Sequence, residues 1–458
     1  MRQHQFYIHQ TSAALLASPA LATTHNSLYS PNNYEFEPLE HLAGIAPYFD
    51  PQDPPLDPAP PQGCSVTRAA YLVRHAAIYA NDFDYESYIE PFVQKLANTS
   101  ADFSASPELS FLKSWKSPIA DDDEEKLTKI GTLEAMSLGV ELARRYPDFK
   151  LPKKMWASTA ERTVKSAQAL MSGLDHRGNE TQLVQVYEGK ASGADSLTPY
   201  KACPAYSSSR GSEQSSTFQK KYTKPILARF AAAVPGFNWT ASDIYGMQQL
   251  CGYESVIKGA SPFCSLSLFT PNEWLAFEYT NDIMYHHNTG YGNPVSPVLG
   301  WPWVNASVAA LFDDSTAAQD LYVSFTHREL PPTVLVALGL FNNSAASASN
   351  DANATMPLTQ INHRRAWKSS NILSFLTNVA IEKMSCDSYG FEDAGNEFYR
   401  VIVNNSPQPL DACADGPGES CARAEFESWI QERADRYGDF SQECGVTYQN
   451  STDALSIY

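Results

Sequence analysis

Three apolar runs along the chain have the pattern of buried strands, and each ends on polar residues of a narrow chemical kind. In TRAAYLVRHAAIY, residues 67–79, the run stops at Arg74 and His75. KKMWAST closes on Ser158, just before the helix-periodic stretch ERTVKSAQALMSGL that carries Arg162. LYVSFT leads into His327, Arg328 and Glu329, again where a helical pattern begins. Strands alternating with helices predict an α/β fold, in which ligands sit outside the carboxyl ends of the strands. The three polar ends are therefore expected to meet.

Between these runs the periodicity changes to that of helices. Residues 82–98 place Tyr88, Phe92, Val93 and Leu96 on one helical face. An acidic run, residues 121–125, precedes a stripe of Leu127, Ile130, Leu133, Leu138 and Leu142 that stops at Pro147. That run reads as a solvated loop whose charge suits a helix start. From 192 to 310 the patterns are almost wholly helical, which predicts a smaller α-helical domain inserted into an α/β domain made of 63–191 and 311–458. Late in the chain, residues 398–404 read as a strand and 423–437 as a helix. Residues 23–62 are rich in Pro, Asn, Asp and Tyr and predict an extended arm, and 342–355 form a low-complexity loop. His286 and His287 are adjacent on a predicted helix, so their rings point apart and do not suit one metal ion.

Composition narrows the setting. The 458 residues carry 33 basic and 51 acidic side chains, a formal charge of −18, which disfavours nucleic-acid and anionic-membrane partners. Residues 1–22 end in Ala20-Leu21-Ala22 and read as a signal peptide, and no later run has the roughly 18 apolar residues of a membrane span. Eight cysteines without Cys-x-x-Cys spacing suit four disulfides in an oxidising compartment, although 105 pairings are open to them. Sequons at Asn98, Asn179, Asn238, Asn305, Asn342, Asn353, Asn404 and Asn450 add N-linked glycans to the expectation of a secreted protein.

Two or more arginines, two histidines and a carboxylate are what phosphoryl transfer through a phosphohistidine needs. With the Leu-Thr-x-x-Gly segment at Leu127, Thr128 and Gly131, the Arg-Thr-x-x-Ser-Ala at Arg162 to Ala167, the stretch 264–270 and the late cysteines, the chain from about 63 to 445 resembles the histidine acid phosphatases. This family includes fungal phytases and acid phosphatases and is related to the multiple inositol polyphosphate phosphatases. The resemblance implies a phosphoglycerate mutase-like α/β sandwich. It also implies disulfides Cys64–Cys386, Cys203–Cys444, Cys251–Cys264 and Cys413–Cys421. It makes His75 the nucleophile and Glu329 the proton donor, with Arg74, Arg162, His327 and Arg328 on the phosphate, and no metal or cofactor. The implied activity is hydrolysis of a phosphomonoester; a carboxylic acid donor and an extracellular setting suit acidic pH, and the acidic loop after His75, at Asp82, Asp84 and Glu86, favours a small or lightly charged ester over phytate.

The motifs also depart from the family pattern. Where the family reads Arg-His-Gly-x-Arg-x-Pro, this chain has Ala76, Ile78 and Ala80 in place of the glycine, second arginine and proline. Where the family usually has His-Asp, it has His327-Arg328-Glu329. One guanidinium is lost and another gained, which suggests that Arg328 compensates for Ile78. The alternative is a relative that kept the fold and binds an anion without hydrolysing it, or that runs another reaction.

Overall fold

The computed structural model describes residues 36–51, 54–175, 180–344, 351–387, 395–449 and 451–458. The signal peptide, most of the arm's first half, the centre of the 342–355 loop and the sequons at Asn179 and Asn450 lie outside the described residues. The chain divides into two units, Met1–Phe36 and Glu37–Tyr458, and everything below belongs to the second.

The elements follow in chain order. β1 (Cys64–Arg74) leads to α1 (Glu90–Ala97) and α2 (Lys129–Arg145), then β2 (Lys154–Ser158), α3 (Glu161–Leu174) and β3 (Gln182–Val186). Four long helices come next without a strand: α4 (Ser212–Ala233), α5 (Ala241–Lys258), α6 (Pro271–Asn288) and α7 (Ser296–Phe312). The chain returns through β4 (Leu321–Thr326), α8 (Leu330–Leu338), β5 (Asn378–Cys386), β6 (Glu397–Val403), β7 (Ser406–Gln408), β8 (Cys421–Ala422) and α9 (Arg423–Tyr437). The sheet runs β3-β2-β4-β1-β5-β6-β7, with β8 beside β6.

Strands β3, β2, β4 and β1 are mutually parallel, so their carboxyl ends share one edge. β5 runs antiparallel to β1, with Val73 opposite Asn378. The residues just before β5 therefore arrive at the same edge. β4 is buried at every position, as a central strand covered on both faces must be. All four implied disulfides are present. Cys64–Cys386 joins register partners of β1 and β5.

Several local expectations need correction. Residues 38–45 are not extended. They form two 3₁₀ turns, Pro38–His41 and Ala43–Ile45, because the run Leu42 to Ala46 is apolar and is buried throughout. On α2, Leu133 is 63% exposed while Gly131, Ala135, Leu138, Gly139 and Leu142 face inward. The buried face is chosen by close approach rather than by leucine: a Cβ on Gly139 would stand 2.1 Å from the Leu170 carbonyl, and one on Gly131 2.4 Å from that of Ala77. Asn404 cannot serve as a glycosylation site as placed, since it is 1% exposed and its amide donates to the Asn371 carbonyl at 2.7 Å. His286 and His287 stand edge to face at 5.4 Å, and among the described residues no His, Cys, Asp and Glu side chains cluster as a metal site.

Candidate active site

The shared sheet edge gathers the predicted residues. Arg74 is the last residue of β1 and His75 follows it; the His75 amide donates to the Thr326 carbonyl at the end of β4, which locks the two strand ends together. His327 follows β4, with Arg328 and Glu329 leading into α8. Arg162 lies in the first turn of α3. All six line one small pocket of about 30 Å³, together with Ile78, Asn81, Tyr253 and Phe375. Ser158 is not part of it: fully buried, it bonds Thr163 and helps turn β2 into α3.

The two shorter motifs brace this pocket. Ser166 of the Arg-Thr-x-x-Ser-Ala segment accepts the Ala76 amide at 2.9 Å and donates to the Arg162 carbonyl at 2.6 Å, tying the turn after His75 to the helix carrying Arg162. Thr128 donates through both its amide and its hydroxyl to the Ala77 carbonyl while capping α2. Ile78 pairs by an isolated antiparallel bridge with Leu127, so its backbone holds a position in the wall whatever its side chain.

The His75 ring is buried, and its Nδ1 lies 2.9 Å from the Ala76 carbonyl. A carbonyl only accepts, so Nδ1 carries the proton and Nε2 keeps its lone pair. Burial first, then the charges of Arg74 and Arg162, hold this imidazole well below the usual histidine range. That depression favours the neutral imidazole, the form a nitrogen nucleophile needs. His327 stands 5.8 Å from it, ring centre to ring centre, and donates Nε2–H to Glu188 Oε1 at 3.2 Å. Burial lowers the His327 proton affinity and outweighs the Glu188 bond that raises it.

The cations are fixed from outside the pocket. Arg74 donates Nη1 to the carbonyls of Gly44 and Leu373 and lies over the Phe375 ring at 4.5 Å. Burial draws its pKa down to about 10, with Arg328 pushing the same way, yet it remains a cation throughout the acid range. Arg162 pairs with Glu125, whose other oxygen accepts from Asn81 at 2.8 Å. Arg328 donates Nε to Glu329 at 3.1 Å. Burial alone would raise the Glu329 carboxyl, but Arg328 and His327 prevail and hold it below the ordinary carboxylate value. Arg74 Nε, Arg162 Nε and His327 Nδ1 are buried without a hydrogen-bond partner among the described residues. The two arginine N–H groups are donors that an incoming tetrahedral oxyanion would satisfy, and His327 Nδ1, a lone pair while Nε2–H binds Glu188, joins them once that ring is protonated.

Glu188, Glu125, Phe375 and Gly44 were not foreseen as site residues. Glu188 had a signal, since it stands two residues past the end of β3, on the same sheet edge as the others. Glu125 belongs to the acidic run assigned to solvent; its pairing with Arg162 shows that the end of the run serves the pocket. Phe375 and Gly44 carry no chemical signature and depend on the antiparallel entry to β5 and on the buried turn at 43–45.

Relatives of the chain fall in one group. It is 29% identical over 429 residues to an acid phosphatase of Komagataella pastoris, covering 90% of this chain and 87% of that protein. It is 28% identical to a phytase of Candida albicans, covering 91% and 88%. The fold is similar to the crystal structure of the phytase from D. castellii, with a TM-score of 0.83 at 23% identity and coverage of 95% of this chain and 93% of that one. Residues 65–404, well over half of the sequence, match the model of the histidine phosphatase superfamily (branch 2), and the chain belongs to that family.

Proposed function

We propose that this protein is a secreted phosphatase that hydrolyses small phosphate monoesters in acid through a phosphohistidine on His75. The observation that carries the reading is the His75 ring: buried, its Nδ1 proton spent on Ala76, its Nε2 free, and flanked by Arg74, Arg162 and His327 in one pocket with Glu329. Membership of the family and the acid phosphatase and phytase names of its relatives support the same chemistry. The four disulfides support an oxidising compartment, and exposed sequon positions at Asn98, Asn238, Asn305 and Asn353 are open to glycans. Among the described residues no helix is long and apolar enough to cross a membrane. The helical stretch 192–310 acts as the inserted domain that roofs the pocket, contributing Tyr253 to its wall.

In the first step Nε2 of His75 forms a bond to phosphorus while the bond from phosphorus to the alkoxide oxygen breaks; that oxygen keeps the electron pair and takes the proton of Glu329, leaving as the alcohol. Arg74, Arg162 and Arg328 spread the charge of the phosphoryl oxygens, with His327 donating once protonated. In the second step a water oxygen attacks phosphorus, its proton passes to the Glu329 carboxylate, and the nitrogen–phosphorus bond breaks to return the pair to His75. Despite burial, Arg328 and His327 depress the proton affinity of Glu329 in the free protein, so substrate charge must raise it before Glu329 can act as an acid. That requirement favours acid pH.

Arg328 takes over the charge absent at Ile78. It shares the pocket with Ile78, and it lies close enough to Arg74 to lower that guanidinium's proton affinity. Turnover of p-nitrophenyl phosphate between pH 3 and 7, with His75→Ala alongside, tests the reading. Acid-favoured turnover lost in the variant is the expected result. Tight phosphate binding with no turnover would instead make the chain an anion-binding relative, a reading the loss of an arginine at Ile78 would then explain.

A further inference from the structure

Arg328 and Glu329 belong to two pockets at once. Besides the small one they line a larger cavity of about 370 Å³, reaching up between α4, α5 and α6. Glu329 is the proton donor of the proposed mechanism, so the larger cavity lies on the side where the alcohol leaves, and its lining decides which alcohols fit.

That lining is aromatic and hydroxylic rather than cationic. Tyr88, Tyr206, Tyr245 and Tyr285 face it, with the amides of Asn281 and Asn288. Its formally charged side chains are Arg328, Lys220, Glu329 and Asp84, two of each sign. Lys220 is exposed. Asp84 is held firmly: Oδ1 accepts Gln249 Nε2 at 2.9 Å and Oδ2 accepts the Tyr253 hydroxyl at 2.6 Å, both donors from α5. Such a carboxylate cannot swing away from a ligand, and with lone pairs to spare it accepts hydrogen bonds from hydroxyl groups. A second phosphate placed there would meet a fixed like charge and no surplus cation, and like charges brought together disfavour binding.

We propose that Asp84 is a specificity-determining residue that selects singly phosphorylated, otherwise uncharged alcohols, sugar-like or aromatic, and rejects leaving groups that carry further phosphates. This rests on the phosphatase reading and adds to it the class of substrate.

The test compares kcat/KM for p-nitrophenyl phosphate and a hexose monophosphate with that for inositol hexakisphosphate. The native protein should favour the monophosphates. Asp84→Asn should shift the ratio toward the hexakisphosphate by about tenfold or more. Ser242→Lys, at an exposed position on the same lining, should shift it the same way without touching Asp84. A native preference for the hexakisphosphate, or a ratio that neither substitution moves, would overturn the proposal. Binding separates this from the underlying reading. If no ester is turned over, the phosphatase reading fails, and titration of the same proteins with inorganic phosphate and inositol hexakisphosphate still decides the charge selectivity. Hexakisphosphate binding stronger than phosphate binding in the native protein would refute it, and a gain on Asp84→Asn would support it.

Discussion

Two buried charge clusters lie along the same pair of strands and differ in one respect. Midway along β5, Glu382 accepts from Arg145 at 2.9 Å, from Arg400 at 2.7 Å and from the Tyr146 hydroxyl. Both arginines place their remaining nitrogens on fixed acceptors: Arg145 on Asn405 and the Pro58 carbonyl, Arg400 on the carbonyls of Pro58 and Ala59. Five residues farther along β1, about 16 Å, the cluster at Arg74 and His75 leaves Arg74 Nε, Arg162 Nε and His327 Nδ1 unspent. Both clusters are buried and rich in arginine. Only the second has hydrogen-bonding capacity waiting for a ligand, and that separates a site built for chemistry from one that holds a strand and the proline-rich segment in place.

The sharpest way to break this comparison is to disable one residue in each cluster. His75→Ala should cut turnover by about 10⁴-fold or more, as loss of a nucleophile does, with the melting temperature nearly unchanged. Glu382→Ala should do the reverse. Removing one member of a buried ion-pair network leaves its partners uncompensated at a cost of about 3–5 kcal/mol, read by denaturant unfolding, while the molecules that remain folded keep their kcat. A stability loss confined to His75→Ala, or an activity loss per folded molecule in Glu382→Ala, would erase the distinction.

Within the reactive cluster the effects should grade by role. Glu329→Gln removes the proposed proton donor, and kcat for alkyl phosphates should fall by about 10²–10³-fold. It should fall much less for p-nitrophenyl phosphate, whose leaving group needs little protonation. Equal losses for both would mean that Glu329 does not protonate the alcohol. Arg328→Ala should lower kcat/KM and weaken inhibition by phosphate, each by about tenfold or more, as expected when a charge-assisted bond is lost. Unchanged values would leave the vacancy at Ile78 uncompensated.

The smallest effect concerns pH. His327 and Glu329 both have proton affinities depressed below their ordinary values in the free protein, and a bound phosphate favours their protonated forms. Phosphate binding should therefore take up protons, and inhibition by phosphate should tighten as pH falls from about 6 to 4, the range in which phosphate itself stays a monoanion. Inhibition independent of pH across that range would show that neither group faces the anion.

Much of this was legible before the fold was known. The strands ending at Arg74 and Ser158, the strand before His327, the helix carrying Arg162 and the late helix at 423–437 follow from periodicity and lie where the pattern put them. His75, Arg74, Arg162, His327, Arg328 and Glu329 converge because parallel strands deliver their ends to one edge, a rule that needs no coordinates. What stayed hidden depends on approach between distant segments. The inward face of α2 is set by glycines that leave no hydrophobic signal, and Leu133 misleads for that reason. Gly44 reaches Arg74 only through a backbone carbonyl, which any residue could offer. Asn404 matches a sequon, but it lies in the turn from β6 to β7 with its side chain buried and donating to the Asn371 carbonyl.

The central claim is that phosphorus becomes bonded to His75 during turnover. Mixing the protein with a ³²P-labelled aryl phosphate, quenching within milliseconds in alkaline denaturant and mapping the labelled peptide tests it directly. The account predicts label on His75 that survives base and is lost in acid, and none in His75→Ala. Turnover at full rate with no such label, or with the label on another residue, would contradict it.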